Sequence, residues 1–382
     1  GRKLSIQSYA RSSSSSACGT CHDMGAENGW DVWQAEAGPN YDSLGLSLMP
    51  TTPTTPRFNL TTGAGIDPLT PGLNPGDPPI TLVAPPGFGA SSIQLGQPQT
   101  DGQGGGCSNQ QGQFSAGCAE RLTYCFTVGI ADTNFIYAYA FVMENPDASS
   151  HTPATMPYVE FMILDGNGDT IPCAYQRYIA TESFPGQYKC NSTRSGGGGG
   201  GGGRDTATYK PWTIEGVNLS SYIGQTLTVV ITNADCRLGG HFAHSYWDFA
   251  CGSTSAIFKP NCYSNAPDTL VAPVPPDSVN LYSYAWFLNN DTIPIATTQT
   301  ITPYAQPGDT FVVKIILPSG CNWSARYVPQ HFTVSADYIF STHCGYADFT
   351  AHSFSPSAED PINYWSWNFS GGTPSTSSDA NP

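Results

Sequence analysis

Hydrophobic positions along this chain recur with a period of two and in short runs, which is the pattern of β-strands. Residues 119–128 (AERLTYCFTV) and 135–144 (FIYAYAFVME) alternate most clearly, and their aromatic residues suit a pleated, half-buried surface. Residues 158–164 and 171–178 read as a strand pair around the turn Asp165-Gly-Asn-Gly-Asp169, and residues 209–217 (YKPWTIEGV) as another strand. The stretch 226–252 (TLTVVITNADCRLGGHFAHSYWDFACG) predicts two strands, 226–233 and 242–250, joined by a glycine-rich turn into a hairpin. In the second of these, His244, Tyr246 and Asp248 point one way while Ser245, Trp247 and Phe249 point the other. Cys236 and Cys251 bracket the expected hairpin, a placement that allows a disulfide between its feet. No window keeps a helical apolar stripe over three turns. The fold class is therefore all-β.

Composition agrees. Charged residues make up 11% of the 382, against a usual quarter, while Gly (41) and Pro (32) are abundant, which favours short strands and long loops. The length fits two or three domains. Residues 38–106 are rich in Pro, Gly and Thr, with short strands expected only at 58–61 and 91–95; loops of this length tend to carry function. Residues 1–17, basic and Ser-rich, are expected to be a flexible arm, and 195–203, one serine and eight glycines, a flexible insertion.

With 14 basic against 29 acidic residues the net charge is −15, a field that repels phosphate backbones and anionic lipid heads, so nucleic acid is not an expected partner. No apolar run approaches the roughly 18 residues that span a bilayer, so direct membrane insertion is not expected either. The start lacks Met and a hydrophobic signal core, as in a mature or cut chain. Twelve cysteines near strand ends and turns imply disulfides and an oxidising, extracellular location. Cys18-Gly-Thr-Cys21 has no βαβ surroundings and reads as structural. Sequons at Asn59, Asn191, Asn218, Asn290, Asn322 and Asn368 mark expected surface loops.

Several motifs carry a resemblance. Gly239-Gly240-His241-Phe242, then Ser245-Tyr246-Trp247-Asp248 and Cys251-Gly252, resemble the end of a jelly-roll domain found in large Bacteroidota surface proteins. That group is adhesin-like and gliding-motility-associated, and is typically exported by the type IX secretion system. Residues 25–33 (GAENGWDVW) resemble the opening strand of carbohydrate-binding-type jelly rolls, residues 84–96 a later segment, and 209–224 the closing order. Asp-Ser/Thr-apolar triplets at Ser43, Thr170, Thr206, Thr269, Ser278 and Thr292 resemble the O-glycosylation signal of the same exported proteins. The resemblance implies a jelly roll over 18–252. In several such families the early Glu and an Asp on the final strand help to hold a structural calcium, roles that fall here on Glu27 and Asp248. Beyond a boundary near Ser253, residues 253–336 are similar to Ig-like repeats of those proteins, with Trp286 as the expected core tryptophan. Within 337–382, residues 362–377 (INYWSWNFSGGTPSTS) and Asn381-Pro382 resemble the front of a polycystic-kidney-disease (PKD) repeat, which implies either the front of a longer protein or a repeat whose remainder is disordered or removed.

No catalytic set emerges. G-x-S-x-G and HExxH motifs are absent. Glu120, Glu144, Glu160 and Asp248 lie on or beside predicted strands, but nothing singles out two of them as a glycosidase pair. His241 and His244 with Cys236 and Cys251 would suit zinc, yet His-x-x-His on a strand sends the rings to opposite faces. Asp165–Asp169 has calcium-loop spacing without the Gly and Glu such loops need, and reads as a hairpin turn. Tyr137 and Tyr139 are candidate core or sugar-stacking rings, and Tyr246, Trp247 and His244 are the candidate ligand-binding side chains. The expectation is a non-catalytic cell-surface protein binding glycan or protein, with structural calcium and the smaller sandwiches as spacers. Its alternatives are a binding module of a longer secreted hydrolase, and a subunit of an extracellular filament that self-associates by strand addition.

Overall fold

Alternation decides which side chains face the core. A computed structural model describes residues 18–41, 45–97, 106–108, 114–146, 151–195, 204–238, 241–251, 254–255, 257–259, 269–273, 282–306, 308–317, 321–328, 335–354 and 365–382. The expected arm at 1–17, the eight glycines of the 195–203 insertion and the boundary at Ser253 lie outside the described residues. The first fourteen strands are β1 (Gln34–Tyr41), β2 (Gly45–Leu46), β3 (Met49–Thr51), β4 (Phe58–Thr62), β5 (Ser91–Leu95), β6 (Gly106–Ser108), β7 (Phe114–Thr127), β8 (Asn134–Glu144), β9 (Tyr158–Leu164), β10 (Thr170–Ile179), β11 (Tyr188–Ser195), β12 (Arg204–Asn218), β13 (Thr226–Ala234) and β14 (Ala243–Cys251). They form two antiparallel sheets. The first runs β10-β9-β13-β7-β1-β2, with β3 on β1 and β6 on β7; the second runs β11-β12-β8-β14-β5-β4. Among the described residues there is no α-helix, only short 3-10 turns, and no helix long and apolar enough to cross a membrane.

The core lies between the sheets. Leu122, Tyr124 and Phe126 of β7, Phe161 of β9 and Val229 and Ile231 of β13 meet Tyr137, Tyr139 and Phe141 of β8 and Trp247 and Phe249 of β14 in one buried cluster. Each such side chain contributes about 1.5–3 kcal/mol of burial free energy. The rings stack closely, Tyr137 on Phe161 at 4.1 Å and Tyr139 on Trp247 at 5.6 Å between centroids.

Two readings of the sequence change. First, 226–252 is not a hairpin: β13 pairs with β7 and β9 in the first sheet, and β14 pairs with β5 and β8 in the second. Both apolar runs bury, but in opposite layers, so the connection is a crossover. Cys236 and Cys251 then stand at opposite ends of the nine-residue β14, about 30 Å of extended chain apart. Cys251 is bonded instead to Cys21, and Cys18 to Cys125. Second, 25–33 is not a strand. Residues Cys21–Met24 and Ala26–Asn28 are 3-10 turns that deliver Trp33 into the core, and the first strand begins at Gln34.

β8 and β14 are buried almost along their whole length, which requires a cover on both faces. The Pro/Gly/Thr-rich stretch supplies the second cover. Across the outer face of the second sheet, Leu73 N–H donates to Lys189 of β11 (2.9 Å), Tyr209 and Trp212 of β12 donate to the carbonyls of Pro78 and Thr81 (2.9 and 2.8 Å), and Ala84 N–H donates to Ser92 of β5 (2.9 Å).

The next strands are β15 (Thr254–Ser255), β16 (Ile257–Lys259), β17 (Thr269–Val271), β18 (Ser283–Leu288), β19 (Thr300–Ile301), β20 (Phe311–Ile316) and β21 (Asn322–Tyr327). They form sheets β15-β21-β20-β18 and β16-β17-β19, and Trp286 is fully buried with Nε1 donating to the Thr298 carbonyl at 2.8 Å. This small sandwich belongs to one compact unit with the large one. They are joined by the Cys173–Cys321 disulfide, by the Tyr282 hydroxyl donating to the Ile214 carbonyl at 2.8 Å, by Ser324 N–H donating to Asn134 Oδ1 at 3.4 Å, and by buried Trp323 seated on Gly216, where a Cβ would collide with the indole. Cys321 is thus bonded to the large sandwich rather than across its own; Cys262 lies outside the described residues. Cys173 sits in a bulge of β10 with φ at 65°, which turns its side chain out of the ladder.

A second unit, Ala305–Asp309 with Val328–Pro382, contains the hairpin of β22 (Ser335–His343) and β23 (Tyr346–Phe354) and the short pair β24 (Trp367–Asn368) and β25 (Thr376–Ser377). Tyr338, Phe349, Trp367 and Phe369 cluster at 4.9–6.0 Å between ring centroids.

Because Trp323 fills a site that only glycine leaves open, Trp323→Ala should lower unfolding free energy by about 3–5 kcal/mol, read from the denaturant midpoint. A loss below about 1 kcal/mol would mean that the indole is not seated on Gly216.

Candidate functional site

The predicted metal residues come together. The Cys21–Cys251 disulfide holds the 3-10 turns against the end of β14, and Glu27, on the second turn, reaches across to the start of β5. Its Oε1 accepts hydrogen bonds from Ala90 and Ser91 N–H (2.7 and 2.9 Å), and a Cβ at Gly89 would fall on this carboxylate. Asp248 lies alongside, its Oδ1 accepting from Phe249 N–H at 2.8 Å and its Oδ2 from the Ser92 hydroxyl at 3.3 Å. Burial, with a smaller contribution from the negative charge of Glu27, pushes the Asp248 carboxyl up to about 8. Among the described residues neither carboxylate is ion-paired with a basic side chain. Two adjacent carboxylates with no basic side chain paired to them among the described residues, beside the Phe249 carbonyl and the closely packed Gly25, fit a hard divalent ion that takes oxygen ligands.

The candidate ligand-binding rings are elsewhere. His244, Tyr246 and Trp247 are all fully buried. Trp247 faces the core, with Nε1 donating to the Ser245 hydroxyl at 2.9 Å. His244 and Tyr246 face the covering layer, where both hold Asp67: His244 Nε2 lies 2.6 Å and the Tyr246 hydroxyl 2.8 Å from Asp67 Oδ2. Burial alone would raise the Asp67 carboxyl, but attraction to His244 and these hydrogen bonds, with Leu69 N–H on Oδ1, hold it below the usual range. None of the three rings offers a face to a ligand from outside, so they are packing residues of the double-covered sheet rather than stacking platforms. Tyr137 and Tyr139 are likewise interior, donating to Glu215 at 3.2 and 2.7 Å.

The four singled-out carboxylates do not pair with one another. Glu120 faces the inner side of the first sheet, with Arg57 Nε at 3.7 Å and Asn233 Nδ2 donating at 3.2 Å; burial pushes it up to about 7. Glu144 and Asp248 share the outer side of the second sheet, but Asp248 is paired with Ala138, six residues and about 20 Å from Glu144. Asp165 closes the β9–β10 turn, accepting Asn167 and Asp169 N–H (2.8 and 3.0 Å) on Oδ1. Of the residues considered for zinc, His244 and Cys251 are committed to Asp67 and Cys21, whereas Cys236 and His241 lie close together.

Glu160 belongs to a feature that spacing alone does not reveal. In register across five strands of the first sheet stand Glu36, Arg121, Thr232, Glu160 and Arg177, all on the outer face. Arg121 Nη1 lies 3.7 Å from Glu36, and its Nε donates to Thr232 at 3.1 Å; Arg177 Nη1 and the Tyr175 hydroxyl each reach Glu160 Oε1 at 3.2 Å. The Arg177 guanidinium also covers the Tyr158 ring at 3.8 Å. Tyr175 is 44% exposed and Glu36, Arg121 and Arg177 are partly exposed, whereas Thr232 and Glu160 are buried beneath them. The available signal was the outward phase of Arg121 and Arg177 in strands whose alternate residues are apolar.

No family model matches this chain, and no curated protein matches it. Among solved structures, the chain is similar to the glycoside hydrolase domain of Endo-D from Streptococcus pneumoniae R6 (12% identity, 71% of this chain and 36% of that one, TM-score 0.21). It is also similar to a β-glucuronidase from Ruminococcus gnavus (8%, 74% and 45%, 0.17) and to the adhesin domain of Epf from Streptococcus pyogenes (8%, 79% and 96%, 0.17). The chain spans less than half of the first two. Likenesses this distant carry no weight for activity or ligand.

Two outcomes follow from the buried carboxylates. Without added cations, Asp248 holds its proton more tightly folded than unfolded, so its contribution is fully present below about pH 4 and is lost as pH rises towards about 8. Thermal unfolding in chelator should show this decline, and Asp248→Asn should flatten it; an unchanged profile would place the charge elsewhere. His244→Phe strands the Asp67 carboxylate and should cost about 3–5 kcal/mol in chemical denaturation, with a cost below about 1 kcal/mol contradicting the pairing.

Proposed function

We propose that this chain is the non-catalytic binding region of an exported, surface-displayed β-sandwich protein, and that it recognises glycan on the outer face of the first sheet. The row from Glu36 to Arg177, with Tyr175 beside it, carries the reading. A sugar presents hydroxyls that both donate and accept around an apolar ring face. The partly exposed guanidinium donors of Arg121 and Arg177, the Glu36 carboxylate and the Tyr175 phenol side by side match that chemistry. The mutual hydrogen bonds of the row pre-organise it, so little side-chain freedom is lost on binding.

Calcium at Glu27 and Asp248 is part of the proposal, in a structural role: it would neutralise the paired carboxylates and fix the 3-10 turns to β5 and β14. The disulfides fit an oxidising compartment. The motif resemblance to large Bacteroidota surface proteins supports export and display. A second reading, self-assembly by strand addition, is favoured by one observation in the second unit, where neighbouring Tyr338, Ile339 and Phe340 of β22 are 51%, 58% and 61% exposed.

On a glycan array the full chain should give hits that weaken about 10-fold or more in Tyr175→Ala, with melting temperature nearly unchanged, and in Arg177→Ala, which also strands the buried Glu160 and lowers the melting temperature. At pH 7.5 calcium should raise the melting temperature of the parent chain but not of Asp248→Asn. Hits insensitive to both surface substitutions would sink the glycan face, and binding only to proteins would transfer the face to protein recognition.

A further inference from the structure

His151, Cys236 and His241 come from separate parts of the chain and converge at one end of the large sandwich. Cys236 follows β13, His241 precedes β14, and His151 opens the segment before β9. His151 Nε2 lies 3.1 Å from Cys236 Sγ, the two imidazole rings stand 4.9 Å apart at 85°, and one donor atom from each residue lies within 4.8 Å of the others. Tetrahedral zinc with one sulfur and two nitrogens places donors about 3.2–3.8 Å apart, from bond lengths of about 2.3 and 2.0–2.1 Å.

The backbone around the three donors is fixed before any ion arrives. Cys236 N–H donates to the His241 carbonyl at 3.0 Å, closing the connection between β13 and β14. Arg237 N–H donates to the Thr155 carbonyl at 2.9 Å, and the Thr155 hydroxyl accepts from Thr152 N–H at 3.0 Å, which ties the His151 segment to that connection. Asp235, one residue before the cysteine, accepts from Ala243 N–H at 2.9 Å. Leu238 N–H points at Cys236 Sγ from 3.3 Å, a contact that stabilises a thiolate.

The geometry points to a second metal site, for a borderline or soft ion such as zinc(II) or copper(I), held by Cys236 thiolate and the imidazoles of His151 and His241. One thiolate and two imidazoles do not suit calcium, so the site is chemically separate from the Glu27–Asp248 pair. Cys236 is a fully buried thiol, and both histidines are half-buried. Binding exchanges the thiol proton for the metal: the S–H bond breaks, the sulfur–metal bond forms, and the proton leaves to solvent.

Cobalt(II) is the probe. Added to chelator-treated, tag-free full chain, it should bind at one equivalent with a sulfur-to-cobalt charge-transfer band in the near ultraviolet and strong visible bands. Zinc should displace it and calcium should not. His151→Ala and His241→Ala should each weaken binding by more than about 100-fold, and Cys236→Ser should abolish the near-ultraviolet band. His343→Ala, in the second unit, should change nothing. No charge-transfer band in the parent chain, or a band that survives both histidine substitutions, overturns the site; if Cys236→Ser does not fold, the two histidine variants decide it.

Discussion

The carboxylate of Asp67 is the point on which the large sandwich turns. Taking a carboxylate out of water costs several kcal/mol unless its lone pairs are satisfied, and here an imidazole, a phenol and a backbone amide converge on it. The segment that carries it has little regular structure and, besides the buried Leu69, Ile80, Ala84 and Phe88, few apolar side chains with which to adhere. It covers the second sheet because its polar groups find fixed partners on β11, β12, β14 and β5. Removing that cover would expose the outer sides of Ala138, Ala140 and Val142 of β8, which are now buried. A charge inside an apolar layer also specifies position, since only one placement of the segment satisfies it.

Strand identity was legible in the sequence because the period-two pattern is strong: β7, β8, β9 and β13 fall where the alternation puts them, within a few residues. Layer assignment was not. Nothing local distinguishes two strands that pair with each other from two that cross between sheets, and β13 and β14 are both apolar enough for either. The covering layer was also illegible, because Asp67 in the sequence is one acidic residue among Gly and Pro. Only the histidine and tyrosine 177 and 179 residues later give it meaning. In the candidate sites, Glu27 and Asp248 were readable through motif resemblance. The charged row was not, since its five residues come from five strands whose register is set by the sheet.

A chain with so few charged residues places several of its arginines where each has definite work. Arg57 neutralises the inner end of the sandwich beside Glu120, whereas Arg121 and Arg177 organise the outer face. The small sandwich is likewise more than a spacer hung on a linker, because an indole, a phenol and a disulfide fix it to β10 and β12.

The bridge between Cys21 and Cys251 joins residues 230 positions apart, almost at the two ends of the large sandwich. Tension applied to the polypeptide immediately on either side of it passes through sulfur and bypasses the hydrogen-bonded ladders between. Force entering at the two cysteines themselves would leave the strands between them without load along the main chain, whereas force entering through the small sandwich is delivered by the Cys173–Cys321 bond into β10.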